Sequence, residues 1–364
     1  VGTFTSGGTP LKSKSVYWNG DIPWITTGDI HNIKRENITN FITEKGLNES
    51  SAKLITNEAI LIAMYGQGKT RGMSAILNFE ATTNQACAIY QTNQNINFVF
   101  QYFQKLYKFL RSLSNEGSQK NLSLSLLKEI TLNYPNEQEQ KKIGVFFSKL
   151  DRQIELEEQK LELLQQQKKG YMQKIFSQEL RFKDENGNDY PEWEERRFAD
   201  IFKFHNKLRK PIKENLRVKG SYPYYGATGI IDYVDDFIFD GNYLLIGEDG
   251  ANIITRSAPL VYLVNGKFWV NNHAHILSPL NGNIQYLYQV AELVNYEKYN
   301  TGTAQPKLNI QNLKIISVVI STNLEEQQKI GSFLSKLDRQ IDLEEQKLEL
   351  LQQRKKALLK LMFV

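Results

Sequence analysis

Three stretches of this 364-residue chain carry residue types that could do chemistry. Gly66-Gln67-Gly68-Lys69-Thr70 has the composition of a phosphate loop, in which glycines admit backbone amides to an anion and a lysine meets its charge. The spacing G-x-x-x-x-G-K-[ST] is not met, which leaves a loop at a nucleic-acid face or a plain surface turn. Glu158-Gln159-Lys160 has the E-x-K end of a nuclease motif and recurs at Glu345–Lys347. Both copies fall in expected helices, where a solvated face accounts for them. His273 and His275 stand two apart in an expected strand, so alternation puts them on one face, as a metal pair requires. No third ligand is evident, and polar or packing roles are the other reading; His31 and His205 are isolated. The single cysteine, Cys87, excludes a disulfide within the chain and, between Ala86 and Ala88, reads as a small core residue.

A second kind of chemistry is DNA recognition. Base edges call for Arg or Lys at guanine and Asn or Gln at adenine, while phosphates take Lys, Arg, Ser, Thr and backbone amides. Gln67, Lys69, Thr70 and Arg71 are the first candidates for base edges, and Lys12, Ser13 and Lys14 suit phosphates. Farther on, Lys207, Arg209, Lys210 and Lys213 form a basic loop, with Tyr224, Tyr225, Thr228, Asn252, Thr255 and Arg256 as further candidates. A solvated charge run and core aromatics are the alternatives there. Asn84 and Gln85 lie at a motif site shared with Asn272 and His273, which argues for framework as much as readout.

The net charge of +5 and pI near 8.9 permit a nucleic-acid partner without establishing one. Residues 1–136 carry about +4 and residues 181–322 about 0, with a basic stretch (203–219) apart from an acidic one (232–240). Any DNA face on the second is therefore localised. No run approaches the roughly 18 apolar residues of a membrane helix, and no signal peptide is visible. A cytoplasmic setting with no membrane partner is the default expectation.

What positions these residues is a duplication. KIGVFFSKLDRQIELEEQKLELLQQQKK at 142–169 returns 187 residues later as KIGSFLSKLDRQIDLEEQKLELLQQRKK at 329–356. Ahead of each copy, GSQKNLSLSLLKEITL (117–132) resembles GTAQPKLNIQNLKIISV (302–318), and TTNQACAI (82–89) resembles VNNHAHIL (270–277). Between these anchors the halves diverge. The chain reads as a variable domain and a constant helix, twice: recognition domain 1–136, spacer helix 137–180, recognition domain 181–322 and spacer helix 323–364. DENGNDYPEW (184–193) is a turn-rich linker. The second domain is preceded by PEWEERRFADIFKF, whereas the first opens at VGTFTSGG; about twenty further residues are expected upstream on repeat grounds.

In the helices, Ile143, Phe147, Leu150, Ile154, Glu157, Leu161, Leu164, Lys168, Tyr171 and Ile175 alternate by four and three, as do Ile330, Leu334, Leu337, Ile341, Glu344, Leu348, Leu351, Lys355, Leu358 and Met362. That is a heptad seam. A parallel pair would set Glu157 against Glu344 and Lys168 against Lys355, repelling twice. An antiparallel pair centred between Leu161 and Leu164 sets Glu157 beside Lys355 and Lys168 beside Glu344, so an antiparallel coiled coil within the chain is predicted. Helices of about 36 residues would span roughly 50 Å, on the order of 15 base pairs.

The variable stretches mix strands and helices. IPWIT (22–26), EAILIAM (58–64) and ACAIY (86–90) precede a helix at 96–113; NYLLIGE (242–248), PLVYLV (259–264) and AHILSPL (274–280) precede one at 284–296. The fold class is α+β: two mixed α/β domains separated by the two long helices, which form an intramolecular antiparallel coiled coil.

GGTPLKSKSVYWNGDIPWITTGDI (7–30), YPYYGATGIIDYVDDFIFDGNYLLIGEDGAN (222–252), the GTAQPKLNIQNLKIISV run and the EEQ…KIG…LDRQI…E helices resemble the specificity subunits of type I restriction-modification enzymes, over nearly the whole chain. The resemblance implies that each domain reads one half of a bipartite, asymmetric double-stranded DNA site. It implies that two methyltransferase subunits dock on the helices and domains and methylate adenines with S-adenosylmethionine. Two ATP- and Mg-dependent restriction and motor subunits join for cleavage. The chain itself is then non-catalytic and holds no cofactor or metal; accordingly it shows neither a Gly-rich cofactor turn nor an Asn-Pro-Pro-Tyr-like run. The reading from a different class is a coiled-coil adaptor whose variable domains bind proteins.

Overall fold

The computed structural model describes residues 1–66, 68–113, 121–302 and 305–363. Along the chain, β1 (Gly2–Ser6), β2 (Trp18–Ile25), β3 (Phe41–Ile42) and α1 (Glu44–Asn48) lead to β4 (Ala59–Ala63), β5 (Ser74–Leu77), β6 (Thr82–Thr83) and β7 (Cys87–Thr92). The helices α2 (Ile96–Ser112), α3 (Leu124–Lys128) and the long α4 (Glu137–Phe176) follow. Then come β8 (Glu194–Arg197), α5 (Phe198–Ile201), β9 (Phe202–Phe204), β10 (Lys219–Gly226), β11 (Gly229–Val234) and β12 (Phe239–Gly247). The chain closes with α6 (Asn252–Thr255), β13 (Val261–Val270), β14 (Ala274–Pro279), α7 (Ile284–Glu292), α8 (Ile310–Lys314), β15 (Ser317–Ile320) and the long α9 (Leu324–Met362).

Contacts divide the molecule into two units. Unit 1 holds Val1–Lys160 with Glu345–Val364, and unit 2 holds Leu161–Glu344. The division runs through α4 and α9 rather than at their ends, because each sheet domain buries its apolar face on the helix segments beside it.

In unit 1 the sheet order is β1-β7-β4-β5, all antiparallel, and a smaller sheet runs β3-β2-β6 with β2 parallel to β6. The run Ala59–Ala63 is buried on both faces, as an uninterrupted apolar strand must be. Helix α2 begins where Asn95 Oδ1 accepts from the Phe98 amide (3.0 Å), an N-cap. Its Phe98, Val99, Tyr102 and Phe103 meet Ile143, Phe147 and Leu150 of α4, Leu351 and Leu359 of α9 and Phe363 just after it in one core.

Unit 2 repeats the plan in a broader sheet, β11-β10-β13-β12-β14-β9, plus the pair β15-β8. Again the second sheet strand runs parallel to its neighbour: Tyr224 pairs with Trp269 as Trp24 pairs with Thr82 in unit 1. Asn283 caps α7 through the Tyr286 amide (2.9 Å). Tyr286, Leu287 and Val290 pack with Ile175 of α4 and Ile330, Leu334 and Leu337 of α9.

Within each unit the two long helices run antiparallel. In unit 1 Phe147 meets Phe363, Asp151 meets Lys355 and Glu157 meets Lys347; in unit 2 Lys168 meets Asp338 and Tyr171 meets Phe333. Leu150, Leu337 and Leu351 are buried, as is Glu344, while Ile154, Glu157, Leu161, Leu164, Lys168, Ile341, Leu348 and Lys355 are half-buried. The expected charge pairs need correcting. Lys355 bonds Asp151 (2.6 Å) instead of Glu157, and Lys168 bonds Asp338 (2.5 Å) instead of Glu344. The helices slide about three residues each from the register that seam charges alone suggest. The Asp of the repeated Leu-Asp-Arg-Gln-Ile run, just off the seam, wins these lysines because it is also tied to the sheet domain, as follows.

Candidate nucleic-acid interface

Gln101 of α2 donates from Nε2 to Asp151 (2.6 Å), which also receives the Lys355 ammonium. Gln289 of α7 donates to Asp338 (2.7 Å), which receives Lys168. Each relay links sheet domain, first helix and second helix through one carboxylate. Next to it, Gln140 and Gln327 accept from the backbone amides of the capping residues Asn95 (3.2 Å) and Asn283 (2.8 Å). Sequence reasoning missed Gln101, Gln289, Asp151, Asp338, Gln140 and Gln327. The signal available was that Asp151 and Asp338 sit in the duplicated segments, and Gln140 and Gln327 two residues ahead of those segments, all off the leucine seam.

Held this way, each sheet carries a cluster of loops at one end, built by matching backbone bonds. In unit 1 the Met64 amide donates to Ala86 (2.9 Å), Leu122 donates to Met64 (3.0 Å), Asn84 donates to Ile25 (2.9 Å), and Asn84 Oδ1 accepts from Ala86 (3.1 Å). In unit 2 Glu248 donates to His273 (2.8 Å), Leu308 to Glu248 (2.7 Å), Asn271 to Tyr225 (3.0 Å), and Asn271 Oδ1 accepts from His273 (2.7 Å). Asn84 therefore corresponds to Asn271, one residue from the Asn272 that the sequence likeness suggested. Both asparagines are framework.

The side chains on this shared frame differ. Unit 2 centres on Glu248, which takes Arg209 in an ion pair and lies 3.5 Å from Lys307 and 3.8 Å from His275. Burial alone would raise the Glu248 pKa, but the Arg209 hydrogen bond and the His275, Arg209 and Lys307 charges bring it below the ordinary value. His275 is buried, bonding Asn206 (2.7 Å) and the Leu308 carbonyl (2.9 Å), and burial lowers its pKa. His273 sits on the exposed side and bonds Asp249 (2.6 Å). The two histidines do not converge, and among the described residues no cluster could hold a metal. At the corresponding places unit 1 has Met64 and Ala88, both buried.

The candidate contact residues fall into two groups. Lys12, Ser13, Lys14, Lys69, Lys207, Lys210, Thr228 and Thr255 are exposed. Among these, Lys14 also donates to the Tyr17 hydroxyl (2.8 Å), and Thr255 shares a bond with Ser257 (3.2 Å). Several others have internal duties. Arg71 donates to the Arg111 carbonyl (2.9 Å), clasping its loop to the end of α2, and Thr70 is half-buried in that loop. Arg209 holds the Asn272 and Ala274 carbonyls besides Glu248. Arg256, in the left-handed region at φ 48°, closes on Glu292 (2.8 Å). Asn252 bonds the Ala258 and Pro259 carbonyls. Tyr224 is 1% exposed, its hydroxyl accepting from the Ile212 amide, and half-buried Tyr225 packs edge-on to Phe268. These residues shape the loops, a role that spacing could not separate from readout. Gln67 lies outside the described residues.

The family described as "Type I restriction modification DNA specificity domain" matches residues 1–166 and again 190–353. The chain belongs to this family. It is 26% identical over 359 residues to the EcoprrI specificity subunit of Escherichia coli, covering 92% of this chain and 84% of that relative. It is 36% identical over 116 residues to the specificity subunit S.HindORF215P of Haemophilus influenzae, a stretch covering 32% of this chain and 30% of the relative's length. In fold it resembles the type I S subunit from M. genitalium, with TM-score 0.71, 18% identity, and 100% of this chain and 94% of that one covered. The specificity-subunit family explains why two unlike loop clusters stand on duplicated frames. A specificity subunit is non-catalytic and needs no cofactor of its own; its part in a type I restriction-modification complex is to supply DNA specificity, with DNA and the methyltransferase and restriction subunits as partners. The adaptor reading is not favoured. No described helix is long and apolar enough to cross a membrane.

Proposed function

We propose that the two loop clusters read the two halves of a bipartite, asymmetric double-stranded DNA site. Lys12, Ser13, Lys14 and Lys69 contact DNA from unit 1, and Lys207, Lys210, Thr228 and Thr255 from unit 2. One observation carries this reading: the same backbone frame is built twice, with Met64 and Ala88 on one copy and Glu248 and His275 on the other. Conserved framing with changed side chains is what two readers of different half-sites require. Each half-site is adenine-methylated by one of two methyltransferase subunits carrying S-adenosylmethionine, and two ATP- and Mg-dependent restriction subunits complete the complex in the cytoplasm. Leucines on the helix faces support docking there: Leu156 and Leu350 in unit 1, Leu163 and Leu343 in unit 2, are exposed.

Mapping methylated adenines in cells carrying this chain and its methyltransferase tests the proposal. The expected result is a split motif with two unlike halves, and exchanging residues 205–210 should alter one half only. Methylation at a single uninterrupted motif would sink it. Replacing Lys207 or Lys210 by Ala should weaken binding on all sequences alike and lower the salt slope by about 1 each.

A further inference from the structure

In unit 1 the sheet domain reaches down to the stem. Lys34 meets Glu155 of α4 at 2.6 Å, and Arg152 flanks the same carboxylate at 2.6 Å. The repeat places Arg339 and Asp342 at the corresponding positions of α9. Among the described residues of unit 2, no side chain of the sheet bonds either of them. Among the described residues Asp342 has no hydrogen bond or ion pair, and Arg339, one turn away, does not reach it. Both line an open cleft of about 690 Å³ between α9 and the sheet, walled by Ile230, Pro259, Tyr262, Val264 and Tyr288.

Asp338 and Asp342 line this cleft. Burial first, then the charges of Glu292, Asp338 and Asp342, push the Tyr288 hydroxyl pKa up. Glu292 is already matched by Arg256 (2.8 Å) and Asp338 by Lys168 (2.5 Å). Of these three carboxylates, Asp342 alone has no ion pair among the described residues, since Arg339 in the same cleft does not bond it.

We propose that this cleft is a socket for a lysine or arginine side chain of the methyltransferase subunit, which fills in unit 2 the place that Lys34 fills inside unit 1. The inference rests on the reading above that methyltransferase docks on the helices. Apolar and aromatic walls suit the aliphatic stem of such a side chain, the tyrosine faces attract its charge, and Asp342 completes the pair. The second, independent sign that a cation belongs here is that the duplicated position in this same chain already holds one.

The test titrates the full chain, wild type and with Asp342→Lys or Asp342→Asn, with the methyltransferase subunit of its own restriction-modification system, following complex formation by sedimentation. Asp342→Lys should weaken association about tenfold or more, Asp342→Asn less, and both should flatten its salt dependence. Asp342 is exposed, so folding should be unaffected, and Lys34→Ala should leave methyltransferase binding unchanged. Wild-type affinity in Asp342→Lys overturns the socket while leaving docking on the helices standing. If the wild-type chain itself does not bind the methyltransferase, both readings fall. Should Asp342→Lys instead change self-association of the chain alone, a second copy is the occupant, and the choice of partner is overturned.

Discussion

Unit 1 and unit 2 share a frame and differ in how their interiors are held. The frame is backbone hydrogen bonding at the loops plus a Gln–Asp–Lys relay at the stem, repeated in both. The differences are side-chain matters. Unit 1 fills its loop base with Met64 and Ala88 and straps its sheet to α4 with Lys34; unit 2 builds a charged centre around Glu248 and His275 and leaves a cleft at Asp342. Backbone bonds place a loop without asking what its side chains are, so the frame can stay fixed while the exposed residues vary. That division of labour suits a molecule whose outer residues set a sequence preference.

The comparison can be broken most forcefully at the relay. Asp151→Asn and Asp338→Asn each remove the charge that a buried glutamine and a mostly buried lysine share, and each should cost about 1–3 kcal/mol. Denaturant unfolding followed by hydrogen exchange in each unit would show equal losses; a loss confined to one unit would mean the relay is not a shared frame.

A smaller effect, confined to unit 2, should come from acid. His275 is held neutral because burial lowers its pKa below the ordinary 6.5. As pH falls through that value the unfolded chain takes up a proton that the fold refuses, so stability drops. Glu248, with its pKa lowered, contributes stability above its ordinary 4.5 that is lost as pH falls farther through the folded value. Unit 1 has Met64 and Ala88 there and lacks both terms. Hydrogen exchange between about pH 7.5 and 5.5 should show protection falling first around Glu248 and His275; equal loss around Met64 would contradict the comparison.

The smallest effect should come from Lys34→Ala. The pair with Glu155 is partly exposed, with side-chain exposures of 42% and 33%, so its removal should cost about 0.5 kcal/mol or less and the cost should vanish in high salt. A loss that persists in high salt would show that Lys34 packs rather than pairs.

The sequence by itself determined the duplication, the two long helices, their antiparallel sense and the α+β character of each domain. The helices and strands follow from patterns local to a segment, 3.5-residue periodicity for the helices and apolar runs such as Ala59–Ala63 for the strands, while the duplication and the antiparallel sense came from comparing the two copies with each other. Tertiary structure alone decided the register of the helices, because Asp151 and Asp338 answer to Gln101 and Gln289 as well as to Lys355 and Lys168. It also decided which of the candidate basic residues have partners inside the fold. Arg71, Arg209 and Arg256 have carbonyls and carboxylates placed within reach by distant parts of the chain, whereas the Lys69, Lys207 and Lys210 side chains are exposed. Hydrogen-bond partners far apart in sequence leave no periodic trace, and a guanidinium that clasps a loop is written with the same letter as one that reads a base.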